Sequence, residues 1–219
     1  MYTIEANAEA AKRARATLSK ADIAPGVVEV VEGFSTSISL PEKVDVLVAE
    51  IAGSVASEEG CYATIRDAQA RFMRAPSDPT SYIPYACQTF AAPASYALHY
   101  ALGPPQFDWT KLKEPVRLNC RDESLQLLAA PQLLEQIVFS DAALPASGRY
   151  KYPALTWTVD GGRVERNEKI FYDELLREGA KTGEATSLSL KVARSFSGVA
   201  MWPRLVLDPT GTLVVESRG

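Results

Sequence analysis

"KVDVLVAEIAGSVASEEG", residues 43–60, runs a short apolar segment into a loop that carries acids. Val44, Val46, Leu47 and Val48 surround Asp45, the run stops at Glu50, and Glu58 and Glu59 follow among small residues. Carboxylates at the mouth of a sheet suit a ligand that is cationic or rich in hydrogen-bond donors. Which ligand depends on the architecture the strand belongs to.

Outward from this stretch, the first eighty residues alternate between strand and helix patterns. "MYTIEA" reads as a strand, "NAEAAKRARATLSKA" as a helix with Asn7 as its N-cap, and "PGVVEVVEG" as a second strand opened by a turn. "FSTSISLPE" is a polar connection, "KVDVLVAE" a third strand and "CYATIRDAQARFM" a second helix. Strands that alternate with helices and are apolar on both faces predict a parallel sheet with right-handed crossovers. Ligands on such sheets lie at the carboxyl ends of the strands, where Glu5 and Glu50 fall.

From Tyr82 the texture changes. "SYIPYACQTFAAPASYALHYAL", "PALTWTVDGGRVE", "SLSLKVARSFSGVAMWPRLVLD" and "GTLVVESR" read as antiparallel β-structure, with turn signals at Asp160-Gly161-Gly162 and Asp208-Pro209. Helical interruptions are predicted around "QLLEQIVF" and "EKIFYDELLREG". "RAPSDPTS", residues 74–81, is the linker candidate, which divides the chain into 1–81 and 82–219.

The 219 residues are enough to bury a substantial core, and 47% hydrophobic with 23% charged residues is ordinary for a folded domain. No stretch has the length of apolar residues a membrane helix needs, and the N-terminus lacks the pattern of a signal peptide. Cys61, Cys87 and Cys120 are scattered and odd in number, which argues against a disulfide framework or a clustered zinc site. One histidine, His99, in the apolar "ASYALHY", makes a histidine-built metal site or a Ser-His-Asp triad improbable and reads as a core or edge residue. A net charge of −4 offers nucleic acid no basic face.

"YTIEAN", "VEVVEGFSTSISLPEKVDVLVAEI", the spacing of Glu50 and Glu59, and "SYIP" together resemble the protein arginine N-methyltransferases, class I enzymes that use S-adenosylmethionine. The likeness covers residues 2–100 well and the remainder in outline. It implies a Rossmann-like parallel sheet that binds the cofactor, followed by an antiparallel β-barrel-like domain for substrate binding and dimerisation. It also implies that Glu5 holds the cofactor ribose, the alternative being a helix-capping glutamate. Ser35 and Thr36 match the adenine-binding positions, the alternative being an ordinary polar loop. Glu50 and Glu59 match the pair that grips the substrate guanidinium, Glu58 being the second acid if the register shifts by one. A homodimer built through an arm within residues 103–150, an arginine-containing protein substrate and a cytoplasmic or nuclear location follow from the same resemblance.

The chain departs from that family in three respects. No glycine-rich stretch precedes Glu5, the next glycine being Gly26, so the reading predicts an N-terminally incomplete copy whose parallel sheet lacks a strand. Such a chain is expected to bind S-adenosylmethionine weakly or not at all. The end at "VVESRG" predicts fewer barrel strands, and there is no Thr-His-Trp motif; Trp202 in "MWPR" is an aromatic candidate for the site, the favoured alternative being a core role. Two other readings stay open: a catalytically inactive binding module that keeps the acidic loop, and a fragment of an NAD-type oxidoreductase with Glu5 on the NAD ribose.

Overall fold

The computed structural model describes residues 1–101, 108–119, 122–145, 152 and 154–217. β1 (Tyr2–Glu5) leads into α1 (Ala8–Leu18), which opens where the sequence predicts: the Asn7 side chain accepts the Ala10 N–H at 3.0 Å. β2 (Glu29–Glu32) then pairs parallel with β1, Tyr2 opposite Glu29 and Glu5 opposite Glu32. A second parallel pair repeats the pattern: β3 (Leu47–Val48) beside β4 (Tyr82–Ile83), preceded by a parallel bridge from Val44 to Met73, with α2 (Cys61–Arg71) between them.

Both pairs are parallel, as expected of the incomplete sheet, but among the described residues they do not form a single sheet. β1 and β3 lie in separate two-stranded sheets, and no described strand joins them. Nor is the run around Asp45 buried on both faces, since Val46 is 51% and Val48 72% exposed.

The second half is built on β5 (Ala86–Tyr96). One edge of β5 takes β8 (Gly198–Val206); the other takes β6 (Leu125–Leu127) and β7 (Gln132–Val138) end to end; β9 (Val214–Glu216) lies outside β8. Every pairing is antiparallel, and a bulge in the β5–β7 ladder after Thr89 bends the sheet toward a half-barrel. The predicted helix at "QLLEQIVF" is therefore strand β7. Its leucines and glutamines favour helix, yet its burial alternates, with Glu135 and Ile137 buried and Leu133 and Gln136 exposed. The period of two was masked because one inward residue is an acid.

Of the helices of the second half, the one expected at "EKIFYDELLREG" is present as the C-terminal part of the helix Gly161–Arg177, and the other two were not expected. α3 (Ala97–Ala101) continues β5; α4 (Gly161–Arg177) and α5 (Thr182–Ala193) form a helical pair. Residues 154–159, expected as a strand, have no regular structure, and the Asp160-Gly161-Gly162 turn signal is a helix start: the Asp160 carboxylate accepts the Gly162 N–H at 2.9 Å. "SLSLKVA" alternates like a strand, but Ala185, Ser189, Val192 and Ala193 form one buried helical face.

Two clusters make the core. In the larger, α2 is wedged between β3–β4 and the β5–β7 ladder, where Ile65, Met73, Tyr82, Cys87, Ile137 and Phe139 are almost wholly buried. This core crosses the expected boundary at residue 81. The smaller holds Phe171 of α4 against Val192 and Ala193 of α5. Of the expected dimerisation arm, 125–138 is built into the sheet, whereas 103–107, 120–121 and 146–150 lie outside the described residues, as does Cys120. No helix among the described residues is long and apolar enough to cross a membrane.

Candidate functional site

The acidic loop leaves β3 and is anchored at both its start and its middle. Ala49 N–H donates to Ile83 O at 2.9 Å, and Ile51 and Ala52 pack on the main core. The buried Ala56 N–H donates to Thr89 Oγ1 at 2.9 Å, and Thr89 in turn donates to Glu135 Oε2 at 3.0 Å. Glu135 is only 3% exposed, and its Oε1 also accepts the Tyr62 hydroxyl at 3.2 Å and the Tyr152 hydroxyl. A buried carboxylate is tolerated when its lone pairs are filled in this way. Gly60, at φ +75°, makes the left-handed turn that starts α2.

Within this frame the structure turns Glu58 back over the loop. Its Oε2 accepts the Ser54 N–H at 2.8 Å, and its Oε1 accepts Arg117 Nη2 at 2.5 Å, while Arg117 Nη1 donates to Ser54 Oγ at 2.9 Å. The Ser54 N–H foremost, and then the Arg117 charge, hold the Glu58 carboxyl below the ordinary carboxylate range against an opposing burial effect. Gly53 makes room for this fold-back: a Cβ there would lie 2.7 Å from Glu58 Oε2.

Glu58 opens on a cavity of about 1060 Å³ between the loop, residues 109–119 and the inner face of β5 and β8. Its far wall is aromatic. His99 and Trp109 meet edge to face at 5.0 Å, Tyr96 packs on Trp109 at 6.3 Å, and Trp202 completes the side. Trp202 is also core-like, 6% exposed and stacked on Phe90, with its indole N–H donating to Glu216 Oε1 at 2.6 Å.

Glu50 and Glu59 sit differently. Both are exposed and neither lines the cavity; Glu50 leaves β3 close enough for its charge to act on the Cys87 thiol, and Glu59 precedes Gly60. Contact with Cys61 foremost, and burial, push the Cys87 thiol upward. Among the described residues no cluster of histidine, cysteine, aspartate or glutamate is arranged to hold a metal ion.

Glu5 ends β1, and Ser35 and Thr36 lie in the turn after β2, at the carboxyl end of the pair. Gly33 N–H donates to Glu5 O at 2.9 Å, and Glu5 Oε1 accepts the Asn7 N–H at 2.7 Å. Ser35 is half-buried and Thr36 exposed in the turn after β2. That turn is clasped from α2, because Arg71 donates to Ser35 O and Ile38 O, each at 2.5 Å.

Sequence reasoning missed Arg117, Thr89 and Glu135. Arg117 lies in "EPVRLNC", which carries no motif, and only the antiparallel register brings Glu135 opposite Thr89.

The βαβ units followed by a curled antiparallel sheet make a mixed α/β fold similar to that of a solved protein arginine methyltransferase. The chain is similar to Arabidopsis thaliana protein arginine methyltransferase 10, solved in a uniquely open conformation, with a TM-score of 0.51 and 20% identity over 65% of this chain and 48% of that one. It is also similar to the Trypanosoma brucei PRMT1 enzyme-prozyme heterotetrameric complex with AdoHcy, with a TM-score of 0.48 and 15% identity over 64% of this chain and 45% of that one. At these identities the likeness is one of fold, and the chain spans about half the length of each structure. No protein-family profile and no curated protein matches the chain.

Proposed function

We propose that this chain serves S-adenosylmethionine-dependent methyl transfer to the guanidinium of protein arginine residues. The observation that carries the reading is the acidic loop itself: at the carboxyl end of β3, in a methyltransferase-like fold, its Glu58 carboxylate accepts a guanidinium N–H at 2.5 Å. Glu50 and Glu59 are the proposed gripping pair, with Glu58 as the alternative second acid.

Arginine remains protonated at physiological pH, so its nitrogens are poor nucleophiles. Carboxylates bonded to two of them would hold the positive charge there. The third nitrogen is thereby oriented and left with more lone-pair character, and the developing cation is stabilised by charge already in place. The cofactor, when bound, supplies an electrophilic methyl group. Glu5 is the proposed ribose ligand and Ser35 and Thr36 the adenine contacts. The fit at this end is chemical: Glu5 commits one oxygen to Asn7 N–H, and a carboxylate has room for further donors. No described residue is assigned to the methionine end. We also propose the division at residue 81, a homodimer and a cytoplasmic setting as part of this reading.

A second reading is favoured by the same geometry: a binding module that recognises guanidinium groups without transferring methyl. Calorimetric titration of the chain with S-adenosylmethionine separates the two. If the residues present suffice for methyl transfer, against the weak binding expected of an incomplete copy, binding is micromolar, on the order of −8 kcal/mol, and weakened by Glu5→Ala. The methyl-transfer reading also expects methylation of an arginine peptide, reduced roughly 100-fold or more by Glu50→Gln or Glu59→Gln. No heat and no methylation, with arginine-peptide binding retained, would establish the binding module instead.

A further inference from the structure

Arg117 presents the acidic loop with the chemistry the proposed substrate would bring. Two of its nitrogens contact two groups of the loop, the Glu58 carboxylate and the Ser54 hydroxyl, so its planar fork is engaged on two acceptors. The Ser54 N–H positions the carboxylate from behind, and the missing Cβ of Gly53 lets it lie flat. The loop is held to the core through Ala56, Thr89 and Glu135, so the receiving side is rigid.

The donating side is not. Arg117 belongs to a strap, residues 112–119, that has no helix or strand and is exposed except at half-buried Leu118. The strap lines the cavity through Leu112, Val116 and Leu118, together with the aromatic residues. The Arg117 side chain is 71% exposed, and an ion pair that open to water contributes little.

We propose that Arg117 is an internal latch. It occupies the guanidinium place of the acidic loop, and an arginine-bearing partner reaches that place by exchanging with Arg117 and displacing the 112–119 strap from the cavity mouth. This rests on the acidic loop being the guanidinium acceptor in the alternative given above, with Glu58 as the acid that takes the guanidinium. The partner brings what Arg117 lacks, a backbone and flanking side chains to fill the cavity and cover its exposed apolar lining, Val199 and Met201. Its guanidinium thus replaces one weak contact with the same contact plus apolar burial. Because the latched form does not receive the partner, apparent affinity falls by the fraction of molecules that are latched.

The test is fluorescence anisotropy of a short glycine-flanked arginine peptide against the full chain, as wild type, Arg117→Ala and Arg117→Lys, with the lysine peptide as control. Melting curves confirm that each variant folds, which the exposure of Arg117 predicts. Arg117→Ala is expected to bind the arginine peptide on the order of fivefold more tightly. Arg117→Lys should fall between, because an ammonium does not span both acceptors. Saturating peptide should also raise hydrogen exchange across 112–119 in the wild type. Equal or weaker binding by Arg117→Ala overturns the latch while leaving the guanidinium-acceptor reading in place. Failure of every variant to prefer the arginine over the lysine peptide overturns both.

Discussion

Gly53 and Glu58 act as one unit, because the acid can fold back only where the glycine has no side chain. Gly53→Ala is expected to push Glu58 off the Ser54 N–H while leaving the core intact, since the added Cβ would stand 2.8 Å from Glu58 Cβ. The Glu58 carboxyl should then titrate closer to its ordinary value, which a carboxyl-detected NMR titration would show. The sign for the wild type follows from its lowered value. A carboxylate depressed on folding contributes stability above the unfolded value of 4.5, and that contribution is lost as pH falls through the lower folded value. Acid should therefore release Arg117 and the strap below pH 4.5, with amide exchange in 112–119 rising ahead of the core. Glu135 behaves as a structural acid. Glu135→Ala removes the buried acceptor shared by Tyr62, Thr89 and Tyr152 and is expected to cost about 3 kcal/mol in urea unfolding, Glu135→Gln clearly less. At this scale the sequence was readable where chemistry is local, as at Asn7, whose cap needs only the next three residues. It was silent at Glu135, whose partners come from β5, α2 and residue 152.

Among the elements, β5 carries the most structure: it pairs with three strands, its bulge bends the sheet, and Thr89 beside that bulge holds the acidic loop. The α4–α5 pair rests on its own small core, so the two parts of the molecule should respond separately to damage. Phe171→Ala is expected to cost roughly 3 kcal/mol and to speed exchange in α4 and α5 while the Ala56 amide stays protected. Equal loss of protection at Ala56 would show one cooperative unit instead. The helix α1 was legible from its Asn7 cap, and α2 from the helical spacing of its buried face, Cys61, Ile65, Ala68 and Gln69. β7 and α5 were not, each for an identifiable reason. In β7 an acid took an inward position; in α5 a Ser-Leu-Ser-Leu run imitated the strand period while the buried face followed the helical one.

Across the whole molecule, the βαβ pattern was legible but its assembly was not. Strand patterns report which faces an element can bury, whereas pairing depends on which edges meet, and here β1–β2 and β3–β4 remain separate pairs. The acidic loop was recognisable as a site, yet which of its acids turns inward depends on Gly53, Ser54 and a strap more than fifty residues away. α2 connects the two ends of the proposed site. It begins at Cys61, directly after the acidic loop, and ends at Arg71, which grips the carbonyls of Ser35 and Ile38 in the turn proposed for adenine. Eleven residues at 1.5 Å each make this helix a gauge of about 16 Å between the two. Gauges tolerate repainting but not relengthening. Substitutions on the outer face of α2 should pass unnoticed, whereas one inserted residue would swing Arg71 around the helix by about 100°. The two ends would then be set out of step with every side chain of the site unchanged.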